Sequence, residues 1–251
     1  MLHLTNLNPR SLPKGIHFAC CVRPQDPIPA DAKFVLIDHE TEDDAIREGN
    51  RDAIDKAKSV IAGVRGKAAN AQVGWYGWPF VMDEDDLEAN AVAFKPLLEL
   101  ADFLAPCCYV GSATDENTEF RGHLFDECIG LMNSSRVLFM ERIGVVCDWT
   151  LDSRHKCDDG QVAEQVSAAN RADCDAIYVW SGLPYRVWAA SLNVPFGHAA
   201  YDAVNRARGE LLGTYGFRLR KWSSATIAAE YQREANRVAN RFLREWNEQA
   251  I

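Results

Sequence analysis

Two carboxylates two residues apart, Asp38 and Glu40, follow the apolar run Phe34-Val35-Leu36-Ile37. Side chains alternate along a strand, so at this spacing both acids face the same way, with Cα atoms about 6.5 Å apart, while His39 faces the other way. Two acids held that close cannot both ionise cheaply, so one of the pair is expected to keep its proton beside the other's charge. A protonated acid next to a carboxylate is the arrangement that glycosidic bond cleavage uses. The same residues also read as acids placed at the start of the helix that follows, where they complement its dipole. A third carboxylate, Glu141, ends the run Arg136-Val137-Leu138-Phe139-Met140-Glu141. Paired with Glu40 it would give a two-carboxylate retaining glycosidase; paired with Arg136 or Arg142 it is an ordinary ion pair.

Aromatic residues recur at the ends of the apolar runs. Trp75, Tyr76 and Trp78 precede Pro79, Tyr109 closes a run that starts at Phe103, and Trp180 closes one that starts at Asp175. Indole faces stack on the C–H faces of sugars, and a tyrosine hydroxyl can reach an amide or an oxyanion. Core packing is the competing use for each of them, since alternate strand residues must point outward into a helix layer.

The elements that must hold these groups are legible in the apolar pattern. Short runs at Ile16–Val22, Phe34–Ile37, Gln72–Pro79, Phe103–Val110, Arg136–Glu141 (possible extension to Val146) and Asp175–Gly182 have the character of strands buried on both faces. Between them lie helical patterns. Thr41 reads as an N-cap, with Ile46, Ala53, Ala57, Val60, Ile61 and Val64 on one stripe and Gly66 closing it. Further helices are expected from about Asp83 through a break or kink at Pro96, over Thr118–Met132, over Gln161–Arg171, over His198–Leu212 and over Ser223–Glu248. Strands alternating with helices give a parallel sheet with right-handed crossovers. The expectation is an α/β fold, an irregular (β/α) TIM-type barrel of seven or eight strands. It would be a single domain over 1–251, with a helical C-terminal segment from about 197 and a weak last strand candidate at Gly216–Leu219. The carboxyl ends of such strands form the active-site rim.

The composition narrows the function classes. The 251 residues are 47 % hydrophobic and 25 % charged, with a net charge of −9. No run of about 18 apolar residues occurs, and no Lys/Arg-rich run, so neither a membrane nor a nucleic acid is an expected partner. The N-terminal residues lack the basic start, apolar core and cleavage site of a secretory signal, so a cytoplasmic location is expected. Eight cysteines without a C-x-x-C or zinc spacing read as reduced, mostly buried thiols rather than nucleophiles or metal ligands. His17, His123, His155 and His198 have no ligand-like spacing, although His155 falls in a polar loop on the rim side. Asp83-Glu84-Asp85-Asp86 lacks a calcium-loop pattern and reads as helix-start acids. No phosphate-cradling glycine motif occurs, so no cofactor and no metal are expected.

The order of these motifs resembles the animal-type hyaluronidases. Asp38-His39-Glu40 resembles that family's aspartate-x-glutamate strand, and Trp75-Tyr76-Gly77-Trp78-Pro79 its aromatic run closing on proline. Leu104-Ala105-Pro106-Cys107-Cys108-Tyr109 and Asp175-Ala176-Ile177-Tyr178-Val179-Trp180 are similar to its two later strands. The likeness covers about Phe34 to Gly182. It implies a (β/α) barrel and a retaining, substrate-assisted hydrolysis of N-acetylhexosamine glycans. Glu40 would be the general acid/base, and Asp38 would stabilise the attacking N-acetyl group. Tyr76 and Tyr109 would bind the acetamido group, with Trp180 as a wall. A polyanion such as hyaluronan suits a net charge of −9 poorly unless Arg142, Arg154, Lys156 or Arg186 line the groove, so a neutral or mixed glycan is the expected substrate. A non-catalytic carbohydrate-binding barrel is the other outcome this pattern allows.

Overall fold

The computed structural model describes residues 2–4, 17–22, 28, 32–38, 42–79, 84–108, 122–149, 156–180 and 224–249. His39, Glu40, Tyr109, His155 and the expected elements at His198–Leu212 and Gly216–Leu219 lie outside the described residues.

The strands are β1 (Leu2–Leu4), β2 (His17–Val22), β3 (Phe34–Ile37), β4 (Gln72–Tyr76), β5 (Phe103–Ala105), β6 (Glu141–Cys147) and β7 (Ala176–Trp180). The helices are α1 (Asp43–Arg47), α2 (Arg51–Lys67), α3 (Leu87–Leu98), α4 (Gly122–Leu131), α5 (Ser135–Leu138), α6 (Asp159–Arg171) and α7 (Ser224–Gln249). Strands β2 to β6 pair in parallel in chain order and form a curled five-stranded sheet of the TIM type with helices packed outside. β6 continues to β7, and the short β1 pairs with β7 on one side and with β2 on the other.

Alternation along the strands sorts the core into layers. Leu36, Phe103, Ala105, Ile143, Val145, Ala176 and Tyr178 pack together on the concave face, with Phe34 and Tyr76 against them. Their neighbours in sequence face the helices. Val35, Ile37, Val73, Trp75 and Leu104 meet α1 to α4, while Val146, Ile177 and Val179 meet α6 and α7. The concave face closes around a small residue. A Cβ on Gly74 would lie 2.4 Å from Cε2 of Phe103, so the ring lies directly on the β4 backbone. Phe34 meets the same ring edge-on, with centroids 5.8 Å apart.

Helix boundaries follow local chemistry. The single stripe expected from Ile46 to Val64 is split into α1 and α2, because the chain turns at Glu48–Gly49 and Asn50 caps a new start. The Asn50 side chain accepts from the backbone N–H groups of Asp52 and Ala53 at 3.0 and 3.3 Å. α2 then runs through Gly66 to Lys67, and α3 runs through Pro96 to Leu98 instead of breaking there. A capping box starts α6: Asp158 accepts from Gln161 N–H at 2.8 Å, and the Gln161 side chain accepts from Asp158 N–H at 2.9 Å. α7 buries Ala235, Val238, Ala239 and Phe242. It is pinned to α6 by Arg241, which pairs with Asp159 at 2.6 Å and donates to the Cys157 carbonyl at 2.7 Å.

One strand is displaced from its expected place. Arg136–Leu138 lie in the helix α5, and β6 starts at Glu141 rather than ending there. The apolar run Val137–Met140 does not enter the sheet: Val137 is buried from α5 into the helix-facing core while Leu138 and Phe139 are exposed.

Because the Phe103 ring occupies the space of a Gly74 side chain, Gly74→Ala overpacks the concave face. A cost of about 1–3 kcal/mol is expected. In thermal unfolding each kcal/mol lowers the midpoint by about 2–4 °C at this size. A wild-type midpoint would show that the ring is not seated on Gly74.

Candidate functional site at the carboxyl ends of the strands

All the strands run in parallel, so the residue that follows each strand lies on one rim and the residue that opens it lies on the other. Asp38 follows Ile37 at the carboxyl rim and is half-buried. Phe34 and Leu36 face the concave side, and Asp38 is the next residue of that parity in sequence. Tyr76, the last residue of β4, packs against the concave cluster, and its hydroxyl donates to Cys107 Sγ at 3.4 Å. Cys107 itself extends β5 past Pro106 by a bridge to Val145. Trp180 is the last residue of β7 and stands in register with Cys147.

The carboxyl rim is held by buried amide contacts. Gln165 of α6 is fully buried; its Oε1 accepts from Cys147 N–H at 2.7 Å and its Nε2 donates to the Cys147 carbonyl at 2.9 Å. This side-chain clamp replaces a missing ladder partner where β6 ends. Beyond it Trp149 forms an antiparallel bridge with Lys156.

Two expected site residues lie elsewhere. Trp78 is 0 % exposed and belongs to the helix layer. Gly77 has φ 78°, a left-handed turn that takes the chain off the strand path after Tyr76. Trp78 therefore stacks on Trp75, with ring centroids 4.0 Å apart at 9°, and its indole N–H donates to Asp43 at 3.0 Å. Phe94 of α3 closes the other side at 5.2 Å. Glu141 opens β6 in register with Phe103, so it lies at the amino-terminal rim, across the sheet from Asp38. Its neighbour Arg142 is engaged there with Asp126 at 2.6 Å and the Ala172 carbonyl at 2.9 Å, so this cation does not line a groove on the other rim. Asp102 anchors the same amino-terminal rim through Val73 N–H at 2.9 Å, Arg65 at 2.8 Å and Arg136 at 3.7 Å.

Cys107 and Tyr178 were absent from the expected set. Counting in twos from Phe103 reaches Ala105 and Cys107, and counting back from Trp180 reaches Tyr178, so alternation alone would have found them. Among the described residues no group of three or more His, Cys, Asp or Glu side chains converges on a point where a metal could sit.

Three buried thiols are held in their protonated form. Burial pushes Cys128 up to about 12. Burial also raises Cys157 to about 12, assisted by the charge of Asp148. Cys147 is raised as well, first by burial and then by Asp148.

The chain matches no protein-family model, and no curated protein matches its sequence. Among solved structures the fold is similar to bee venom hyaluronidase. The monoclinic crystal structure of that protein superposes with a TM-score of 0.50 at 10 % identity, over 83 % of this chain and 74 % of that one. Its complex with a hyaluronic acid tetramer gives a TM-score of 0.47 at 10 % identity, over 78 % of this chain and 67 % of that one. At that identity the likeness is one of fold: a distant structural resemblance.

The thiol positions generate an alkaline prediction. A thiol whose folded pKa lies above its unfolded value keeps its proton longer in the fold. Cys128 and Cys157 start from 9.0 and reach about 12, so their contribution is complete below 9 and is lost as pH rises towards 12. Denaturant unfolding is expected to show stability falling over that window, and Cys128→Ala should make the fall shallower. An unchanged slope in the variant would contradict the assignment.

Proposed function

We propose that the chain is a glycoside hydrolase of the N-acetylhexosamine type, built on a (β/α) barrel that β1 closes between β2 and β7. The observation that carries this reading is the exit of Asp38 from β3 at the carboxyl rim, on the concave parity, beside the end of β4 that bears Tyr76. The similarity of fold to bee venom hyaluronidase supports it.

In this reading Glu40, two residues after Asp38 in sequence, acts as general acid, giving its proton to the departing glycosidic oxygen. The acetamido carbonyl of the substrate attacks the anomeric carbon from the opposite face. Asp38 orients the amide N–H and balances the positive charge that develops on it. Glu40, now a carboxylate, takes a proton from the water that opens the cyclic intermediate, and configuration is retained. Tyr76 and Tyr109 hold the acetamido oxygen, and Trp180 forms the apolar wall for the acetyl methyl. Glu141 has no part in this scheme, because it starts its strand at the other rim. The net charge of −9 favours a neutral or mixed glycan over a polyanion.

Hydrolysis of a panel of chromogenic N-acetylhexosaminides and N-acetylated oligosaccharides tests the reading. Glu40→Gln is expected to lose at least about a hundredfold in kcat, as removal of a general acid does. Glu141→Gln should leave turnover within about twofold, since a charge at the distant rim contributes little to the reacting centre. Binding without turnover by the wild-type chain would assign it to the carbohydrate-binding class. Equal rates for wild type and Glu40→Gln would remove Glu40 from the chemistry.

A further inference from the structure

Cysteines 107 and 108 are adjacent in sequence but serve opposite faces. Cys107 meets the Tyr76 hydroxyl on the concave side, whereas Cys108 belongs to the outer cluster with Val146, Val166 and Ala169. Across β6 from it lies Cys174, in the turn between α6 and β7, half-buried and packed against the same cluster. The two thiols come together over Gly144. A Cβ at that position would lie 3.1 Å from Cys174 Sγ, 3.3 Å from Cys108 Sγ and 2.8 Å from the Ala169 Cβ. The missing side chain of Gly144 is therefore the space in which both sulfurs sit, and the Cys108 thiol donates to the Pro106 carbonyl at 3.6 Å. The turn that carries Cys174 is fixed: its N–H donates to the Ala169 carbonyl at 3.1 Å, and Asp175 N–H donates to the Arg142 carbonyl at 2.8 Å.

We infer that Cys108 and Cys174 are a redox-modifiable pair that hydrogen peroxide converts to a disulfide, tying the carboxyl end of β5 to the α6–β7 turn across Gly144. Cys174 is the more accessible sulfur and reacts first. Its sulfur attacks one peroxide oxygen, the O–O bond breaks, and water leaves with the thiol proton, giving a sulfenic acid. Cys108 sulfur then attacks the Cys174 sulfur. The S–O bond breaks, and the hydroxyl leaves as a second water with the Cys108 proton. Two thiols and one molecule of hydrogen peroxide thus give one disulfide and two waters, the two electrons passing from sulfur to oxygen. Burial holds the Cys108 thiol well above its usual range, so Cys108 is not the sulfur that meets the peroxide first. Cys107 takes no part, because its side chain lies on the other face of the sheet.

The cross-link closes a long loop through α4, β6 and α6, so it is expected to stabilise the fold and to fix the strand end next to Cys107 and Tyr76. The test is brief treatment of the full chain with hydrogen peroxide, alkylation of remaining thiols, digestion without reduction and mass spectrometry. The expected product is a joined pair of peptides lighter by two hydrogens than their sum, with fragmentation placing the bond between Cys108 and Cys174 and a thiol reductant reversing it. The oxidised chain should melt about 5 °C or more above the reduced one. Cys107→Ala should keep both results and Cys174→Ala should lose both. Full alkylation of Cys108 after oxidation, or recovery of Cys174 joined to Cys107, would overturn the inference.

Discussion

The two-residue period of the parallel strands is the constraint on which the rest of the structure depends. It divides each strand between a concave face and a helix-facing one, and a residue cannot change sides without a break in the strand. Phe34, Leu36, Phe103, Ala105 and Tyr178 fill the concave face because of that period, and Gly74 makes room for the Phe103 ring. Polar groups on the same parity are then carried to the point where each strand stops. Asp38 and Tyr76 reach the rim in this way.

The two rims have different characters. The amino-terminal one is built from ion pairs and backbone anchors: Asp102 with Arg65, and Arg142 with Asp126 and the Ala172 carbonyl. Such contacts position strand starts and leave their charges engaged. At the carboxyl rim the end of β6 is held by the uncharged clamp of Gln165 on Cys147. In (β/α) barrels generally, the amino-terminal rim serves stability and the carboxyl rim carries the chemistry.

Much of the sheet was legible in the sequence because its strands are short, apolar and bounded by polar turns. The stripes of α2, α6 and α7 were legible for the same reason, as one apolar face repeats every three or four residues. Failures occurred where a local event interrupts a period. Asn50 starts a new helix within what looked like one stripe, and Gly77 turns Trp78 out of the strand register into a stack with Trp75. The run Val137–Met140 has strand composition but folds as α5 and an exposed turn, which moved Glu141 from the end of a strand to the start of one. The acid pair was legible only as spacing. Asp38 lies at the rim, whereas Glu40, Tyr109 and the side chain of Trp180 lie outside the described residues, so their roles rest on the parity argument and on the family resemblance.

The central claim is that the acids which follow β3 act on a sugar whose own acetamido group is the nucleophile. It is tested most directly by comparing turnover of one N-acetylated oligosaccharide with that of its de-N-acetylated counterpart under the same conditions. The account predicts cleavage of the acetylated chain with the anomeric configuration retained, and no detectable cleavage of the other. Equal cleavage of both would contradict it, since the reaction would then need no help from the acetamido carbonyl.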